Sequence, residues 1–295
     1  MRIFVTGASG FVGSAVVQDL IAHGHSVTGL ARSEAGRDKL KALGADVLMG
    51  ALEDVETLRH AAAGADGVAH LGFIHDFSKF LDNCAIDKAA IAAMGEALAG
   101  SGRPLVVTSG IGLMASGETV TEDTLPPENS GIPRVSEQTA MTFLDRGVKA
   151  MAVRLPIVHG ANDHGFVPLL IGMAREKGFA AHVGRWANAW PAVDRVDAAR
   201  VYRLALEKGT AGRRYHPVAE AGVALQAIAE VIGKRLHLPV VDLTPEAAEG
   251  YFGWFTPFAG MNTRASSLIT QAELGWQPIG PTMIEVLDSE AYFPG

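Results

Sequence analysis

Three glycines follow the first apolar run of the chain at a spacing suited to phosphate binding. The run leads directly into Gly7-Ala8-Ser9-Gly10-Phe11-Val12-Gly13, which opens a helical pattern. Glycines at a strand-to-helix turn let the backbone approach a pyrophosphate, and the helix N-terminus supplies free N–H groups and partial positive charge. The spacing is GxxGxxG rather than GxGxxG, but its position between a strand and a helix favours a dinucleotide site. We expect Gly7, Ser9, Gly10, Phe11, Val12 and Gly13 to bind the cofactor; the alternative is that the glycines serve only a tight turn and close packing.

The end of the second apolar run bears on which dinucleotide is bound. An acidic side chain about 20 residues beyond the glycines would bond the ribose hydroxyls of NAD. The sequence at this point is GLARS, ending in Arg32 and Ser33, and it contains no acid. Arg32 could pair with a 2′-phosphate, and Ser33 could donate a hydrogen bond to it. We therefore expect NADP(H) rather than NAD(H); the alternative is that Arg32 is a solvated surface residue.

Strands and helices must alternate to position these residues. Strand-like apolar runs occur at 3–6, 26–30, 46–49, 67–71, 105–108 and 150–154, and helical patterns occur near 11–23, 35–43, 54–63, 78–99 and 134–146. This alternation predicts an α/β fold of βαβ units with a doubly wound parallel sheet. The segment from Gly110 to Pro133 interrupts the alternation, and a loop of that length is often a lid.

The composition excludes several classes of protein. With 295 residues, of which 48% are hydrophobic, the chain can bury a sizeable core. A net charge of −7 argues against a nucleic-acid-binding surface. The single cysteine, Cys84, excludes a disulfide framework, and no metal site is expected because the ten histidines show no HExxH spacing. No apolar run approaches the ~18 residues of a membrane helix, and the start does not look like a signal peptide. We expect a soluble, cytoplasmic protein.

Several motifs together resemble the short-chain dehydrogenase/reductase superfamily. They are TGASGFVG, Arg32-Ser33, His70-Leu71-Gly72, VVTSG at 106–110 and RLPIVHG at 154–160. The stretches at 190–207 and 274–278 are similar to landmarks of its extended and atypical branches, the NAD(P)-dependent epimerase/dehydratase-like proteins. The resemblance implies a Rossmann-type domain at 1–155, to which the chain returns at about 190–235. It also implies a smaller C-terminal substrate-binding domain from 156–189 and 236–295, and it makes a homodimer possible.

The resemblance also assigns residues around the rest of the cofactor. Leu52 would lie near the adenine, and Leu71, Gly72 and Phe73 would pass beside the cofactor. Pro156, Ile157 and Val158 would lie by the nicotinamide.

The catalytic pair typical of this family is missing. Members typically carry a Tyr and a Lys four residues apart on the helix after the fifth strand, and the tyrosine gives a proton to the substrate oxygen. Here the tyrosine position falls near Ile132 or Pro133 and the lysine position near Ser136 or Glu137, and no tyrosine precedes Tyr202. Ser109 lies at or next to the position of the family's carbonyl-orienting serine, for which Gly110 is the alternative.

Other side chains could replace the pair. Arg134 and Glu137 are three residues apart, so on one helix face Arg134 could polarise a carbonyl while Glu137 or Gln138 bonds the nicotinamide ribose. The alternative is an exposed ion pair. Candidate proton donors are His75, His159 and His164, because the pKa of histidine suits acid catalysis near neutral pH.

The sequence thus predicts an NADP(H)-dependent oxidoreductase that reduces a carbonyl, imine or activated double bond of a small molecule. Aromatic residues of YFGWFTPF at 251–258 could line its pocket, although most of them could equally belong to the core. Two alternatives remain: a nucleotide-sugar epimerase or dehydratase, and a non-catalytic NADP-sensing regulatory protein.

Overall fold

The computed structural model of the chain describes residues 1–114, 118–126, 131, 133–184 and 187–293. Its strands are β1 (Arg2–Thr6), β2 (Ser26–Ala31), β3 (Asp46–Met49), β4 (Gly67–His70), β5 (Pro104–Gly110), β6 (Lys149–Leu155), β7 (Ile157–His159), β8 (Ala180–His182), β9 (Ala189–Asp194), β10 (Arg214–Tyr215), β11 (Glu220–Ala224) and β12 (Val240–Asp242). The helices are α1 (Phe11–Ala22), α2 (Glu34–Ala42), α3 (Val55–Gly64), α4 (Phe80–Leu98), α5 (Ser136–Met141), α6 (Phe166–Lys177), α7 (Arg195–Lys208), α8 (Leu225–Leu236), α9 (Pro245–Phe252), α10 (Thr256–Ala259), α11 (Leu268–Leu274) and α12 (Met283–Leu287).

A central sheet of seven parallel strands forms the larger part of the fold. Its order is β10-β6-β5-β4-β1-β2-β3, so the chain runs outward from β1 in both directions. The order reverses between β1 and β4, and ligands of open α/β sheets bind at the carboxyl ends of the strands beside such a point. The predicted α/β class and the first six strands are confirmed.

Helices cover both faces of this sheet because its strands are apolar on both sides. Along β5, Val106 packs with α1 and α7, whereas Leu105 and Val107 pack with α3, α4 and α5 on the opposite face. The glycine-led helix α1 contributes Val16 and Leu20 to the first of these cores.

A second core lies in the C-terminal half. Strands β7, β9 and β11 form one small sheet, β8 and β12 form another, and helices α6, α8 and α9 pack with them. Helix α7 and strand β10 return to the central sheet, whereas β11 and α8 belong to the second core. Leu274 and Trp276 also lie in the first core. The division into two domains, with its bounds, remains a prediction.

The helix expected over 134–146 is shorter than predicted. Helix α5 begins at Ser136 and ends at Met141, and a 3₁₀ turn follows at Leu144–Arg146. Arg134 therefore precedes the helix. Its side chain donates hydrogen bonds to the backbone oxygen of Thr108 and to the hydroxyl of Ser136.

Candidate functional site

The glycine loop leaves no space for side chains. Gly7 has φ +64°, and a Cβ there would lie 2.7 Å from the backbone nitrogen of Gly72. A Cβ at Gly13 would lie 2.0 Å from the Gly7 oxygen. Both glycines thus serve a tight turn and close packing, which also brings the end of β4 against the loop.

The N-terminus of α1 fits an anion. Among the described residues, no side chain caps it and no acid occupies its first turn. Its free N–H groups and the positive end of the helix dipole face the carboxyl ends of the central strands, where the sheet and the glycine loop form a crevice (the cofactor crevice). Lys39 adds a positive charge, since its Nζ donates to the Ser9 backbone oxygen at 2.8 Å. The residues at this turn therefore suit a dinucleotide pyrophosphate.

Arg32 and Ser33 are exposed at the end of β2, beside this loop. Ser33 caps α2, because its hydroxyl oxygen accepts from the Gly36 nitrogen at 3.2 Å, and this leaves the hydroxyl proton free to donate. The Ser9 hydroxyl lies close to the same glycine, 3.2 Å from where its Cβ would be. Within the described ranges, the Arg32 side chain has no hydrogen bond or ion pair. The hydroxyls of Ser9 and Ser33 thus lie near each other, next to the exposed residue Arg32.

The residues assigned beside the cofactor follow the ends of three strands of the central sheet, β3, β4 and β6. Leu52 and Gly72 touch, since a Cβ on Gly72 would lie 2.9 Å from Leu52 Cδ2. The Gly72 nitrogen donates to the Thr6 hydroxyl at 3.0 Å, and Leu71 packs on the central core. Pro156, Ile157 and Val158 are half-buried where β6 passes into β7. Their contacts with a cofactor remain predictions.

Arg134 is a positioned cation at the end of β5. Its guanidinium lies 4.2 Å from the centroid of the Phe73 ring, and its Nη2 donates to the Thr108 oxygen at 3.3 Å. No carboxylate lies within ion-pair distance of it in the described part of the chain. Burial lowers the pKa of Arg134, and the charge of Asp87 opposes that shift. An arginine remains protonated in either case, so Arg134 offers a fixed positive charge.

Two other predicted catalytic residues lie near Arg134. Ser109 is buried at the end of β5, one residue beyond Thr108. His75 lies at the exposed rim, with its ring 5.3 Å from that of Phe73. Partial burial and then the charge of Arg134 lower the pKa of His75. The imidazole is therefore mostly neutral at neutral pH.

The position predicted for Glu137 is wrong. Its carboxylate is buried between Arg154, whose Nε and Nη2 each donate to it at 2.8 Å, and Arg214. Burial alone would raise the pKa of Glu137, but these two guanidiniums lower it. The alternative, an exposed ion pair with Arg134, is absent among the described residues as well, because the carboxylate is engaged by Arg154 and Arg214. A catalytic role for Glu137 stays a prediction that this geometry disfavours.

The other two proton-donor candidates, His159 and His164, make no contact with Arg134 among the described residues. His159 is buried, and burial lowers its pKa to about 4, against the opposing charges of Asp194 and Asp197. His164 is exposed on the loop before α6.

Tyr202, the first tyrosine in the sequence, is buried in the core on α7, with its hydroxyl 2.8 Å from that of Thr108. Of the two positions expected for the tyrosine, Pro133 precedes Arg134 and Ile132 lies outside the described residues.

A buried hydrogen-bonded chain that the sequence reasoning missed holds Arg134. The guanidinium Nε donates to Ser136 at 3.1 Å, Ser136 donates to Asp87 at 2.5 Å, and His70 Nε2 lies 3.1 Å from the other Asp87 oxygen. His70 Nδ1 in turn lies 2.8 Å from the Thr6 hydroxyl, which supports Gly72. This series of hydrogen bonds runs from the residues beside the glycine loop to Arg134. A signal existed, because Asp87 is an acid at a core position of the helical pattern.

An aromatic cleft of about 570 Å³ opens beyond Phe73. Ser78, Phe80, Trp254 and Phe258 line it, and Phe80 packs edge-on against Phe73 with centroids 6.2 Å apart. The YFGWFTPF segment thus divides as expected. Tyr251, Phe252 and Phe255 are core residues, whereas Trp254 is 59% exposed at the cleft.

The loop expected to act as a lid is partly anchored. Val120 forms a bridge with Ala265, Glu122 accepts from the backbone and hydroxyl of Thr270 at 2.8 Å, and Arg154 donates to the Thr124 oxygen at 2.8 Å. Residues 118–126 are therefore fixed to the rest of the fold, and the lid prediction remains only for 115–117, 127–130 and 132, which lie outside the described residues.

Two kinds of feature are absent from the described residues. They contain no cluster of three or more histidine, cysteine or acidic residues able to hold a metal ion. They also contain no helix long and apolar enough to cross a membrane.

Comparison with known proteins agrees with the geometry of the cofactor crevice. A family model described as NAD(P)H-binding matches residues 7–136. An uncharacterised protein of Schizosaccharomyces pombe is 46% identical over 99% of this chain and 100% of its own length. The 4-hydroxy-2-methyl-3-oxo-4-farnesyl-3,4-dihydroquinoline-1-oxide ketoreductase of Stigmatella aurantiaca is 31% identical over 77% of this chain and 71% of the relative.

A solved structure shares the fold over nearly the whole chain. The UDP-glucose 4-epimerase of Thermus thermophilus, solved with NAD, superposes with a TM-score of 0.76 over 98% of this chain and 97% of that one. The two are 21% identical. The relatives and the parallel sheet support a general oxidoreductase-type enzyme with an NAD(P)-binding domain. The chain belongs to the short-chain dehydrogenase/reductase superfamily, and it lacks the family's tyrosine–lysine pair.

Proposed function

We propose that this protein is an NADP(H)-dependent reductase of a carbonyl, imine or activated double bond in a small, partly apolar molecule. The observation that carries the proposal is Arg134, a cation fixed at the end of β5 without a carboxylate partner among the described residues. Its stacking partner Phe73 packs against Phe80, which lines the aromatic cleft. The relative named a ketoreductase supports a carbonyl substrate.

The preference for NADP(H) rests on Arg32 and Ser33. The exposed guanidinium of Arg32 has no partner in the described chain, and the Ser33 hydroxyl beside it keeps a proton to donate. A 2′-phosphate is the group that would use both, because guanidinium and hydroxyl donors bind phosphate oxygens well. The bound nicotinamide would supply the hydride.

Arg134 would act on the substrate oxygen. As hydride adds to the carbonyl carbon, negative charge grows on the oxygen, and a fixed guanidinium in a partly desolvated site stabilises that charge. Arg134 keeps its own protons. The proton that completes the hydroxyl group would therefore come from water or from His75, and the lowered pKa of His75 favours water at neutral pH.

A non-catalytic NADP sensor is the second candidate. Pro133 occupies one of the two positions expected for the tyrosine, and the Tyr202 hydroxyl is engaged by Thr108 in the core. A protein that binds the dinucleotide without turning it over would also have these features.

Oxidation of NADPH against a panel of aldehydes, ketones, imines and enones distinguishes these functions. NADP and NAD binding would be titrated on the same preparation. The proposal expects turnover on one of these classes and tighter binding of NADP than of NAD. Tight binding of NADP without turnover on any class would favour the sensor, and a preference for NAD would overturn the cofactor assignment.

A further inference from the structure

Arginines that stack on aromatic rings fall into two groups in the described chain. Arg146 lies 5.1 Å from the centroid of Phe143 and also pairs with Glu96. Arg235 lies 5.3 Å from Phe293 and pairs with Glu290 at 2.9 Å. The stacked guanidiniums of Arg134 and Arg195 have no carboxylate within ion-pair distance among the described residues. These two stack on Phe73 and Phe11, which follow β4 and open α1 at the carboxyl ends of the central strands.

Arg195 lies beside the glycine loop, although the two are far apart in the sequence. It is the first residue of α7, and its guanidinium lies 5.2 Å from the ring centroid of Phe11, the first residue of α1. Gly160 lies between them, since a Cβ there would be 3.4 Å from Arg195 Cβ and 3.7 Å from Phe11 Cζ. The side chain therefore extends beside the uncapped helix N-terminus.

The acids nearest to Arg195 in sequence have other partners. Asp194 accepts from the Val196 nitrogen at 2.8 Å as the cap of α7. Asp197 pairs with Arg200 at 2.8 Å and accepts from the backbone of Gly280 at 2.7 Å. A cation in the first turn of a helix opposes the helix dipole. Arg195 breaks this local rule and has no ion pair among the described residues to offset it, and departures of this kind tend to occur at functional sites.

A second cation stands close to Arg195. Lys39 donates to the Ser9 backbone oxygen in the glycine loop. Its pKa is lowered, first by partial burial and then by the charge of Arg195. Two like charges and a positive helix end thus converge on one point, and an anion would relieve their repulsion.

We propose that Arg195 binds the pyrophosphate of the dinucleotide, so that the first residue of α7 and the glycine loop hold it together as a clamp. The planar guanidinium can donate two parallel hydrogen bonds to phosphate oxygens, and the ring of Phe11 holds it ready. This inference rests on the NAD(P)-binding domain and not on the preference for NADP or on the reductase reaction.

Binding titrations of NADP and NAD to the whole protein test the clamp. The variants are Arg195→Gln, Arg195→Lys and, as a matched control, Arg235→Gln, which also removes a ring-stacked guanidinium. Because both dinucleotides carry the pyrophosphate, Arg195→Gln should raise both dissociation constants by the same factor, about ten- to a hundredfold. Arg195→Lys should lose less, because it keeps the charge, and Arg235→Gln should change neither constant.

Two results would overturn the clamp. Unchanged dissociation constants in Arg195→Gln would show that the side chain does not touch the cofactor. A loss confined to NADP would assign Arg195 to the 2′-phosphate instead. If Arg195→Gln shifts the thermal midpoint, Phe11→Leu provides the second test, since it keeps the guanidinium and removes its platform. Binding of both dinucleotides should weaken about threefold in that variant, and no change would count against the clamp.

Discussion

Ser136 donates a 2.5 Å hydrogen bond to the carboxylate of Asp87, and both groups are buried. This bond is the central link of the chain that runs from Thr6 through His70 to Arg134. Burial alone would raise the pKa of Asp87, but bonds from His70 and Ser136 and the charge of Arg134 lower it, so the carboxylate stays ionised. The position of Arg134 thus depends on a buried charge in α4.

Removing Asp87 should therefore be costly. Asp87→Ala leaves His70 and Ser136 without an acceptor and Arg134 without its nearest negative charge, and we expect a loss of about 3–5 kcal/mol in the free energy of unfolding. Urea denaturation measures it. Asp82→Ala is the control, because this acid lies exposed in the first turn of the same helix and should cost no more than about 1 kcal/mol. Equal effects of the two changes would contradict the buried chain.

Cofactor preference should depend on Arg32. Arg32→Ala should weaken NADP binding about tenfold or more and leave NAD binding nearly unchanged, because only NADP carries the 2′-phosphate. The neighbouring Arg37 is the control, since it is already paired with Glu34 and Asp38. If Arg37→Ala lowers NADP affinity as much as Arg32→Ala, the assignment of Arg32 is wrong.

The aromatic segment should separate into two behaviours. Trp254→Ala should raise KM for apolar substrates by roughly tenfold without changing the dissociation constant of the cofactor, because the exposed ring lines the cleft. Phe255→Ala, one residue away in the second core, should instead cost about 3–5 kcal/mol of unfolding free energy. Steady-state kinetics and urea denaturation of both variants measure these effects, and a Trp254→Ala enzyme with unchanged KM would remove the cleft from the substrate site.

Stability should fall below pH 6.5 because two histidines are buried in neutral form. Burial lowers the folded-state pKa of both His159 and His216 to about 4. The unfolded chain binds protons from pH 6.5 downward and the folded chain does not, so stability is lost between pH 6.5 and 4. At pH 5 each histidine should cost about 2 kcal/mol relative to pH 7.

His159→Leu isolates one of these contributions. Neither ring nitrogen of His159 has a hydrogen-bond partner in the described chain, and Glu220 is 3.8 Å away. The variant should be no less stable than the natural protein at pH 7, and it should lose about 2 kcal/mol less between pH 7 and pH 5. An unchanged pH profile of the unfolding free energy would mean that His159 titrates normally.

Local patterns were enough to predict the sheet and the glycine loop, because a strand or a tight turn is specified by its own residues. Partners distant in sequence were harder to predict. The spacing of Arg134 and Glu137 predicts that both face the cleft from one helix, but Glu137 pairs with Arg154 and Arg214, which lie on neighbouring strands. Arg195 was missed because its contact with Phe11 joins distant parts of the chain. Asp87 alone could have been noticed, as a carboxylate among the buried positions of α4.

Replacement of Arg134 tests whether this guanidinium stabilises the charge that grows on the substrate oxygen during hydride transfer. NADPH oxidation would be followed in single turnover, with the cofactor saturating, for the natural protein, Arg134→Ala and Arg134→Lys. We expect Arg134→Ala to lower the rate of hydride transfer about 10²–10³-fold, with unchanged affinity for NADPH, and Arg134→Lys to recover part of that rate. Arg146→Ala, which removes an exposed ring-stacked guanidinium, should keep the full rate. An Arg134→Ala protein that binds NADPH and transfers hydride at the natural rate would contradict the account.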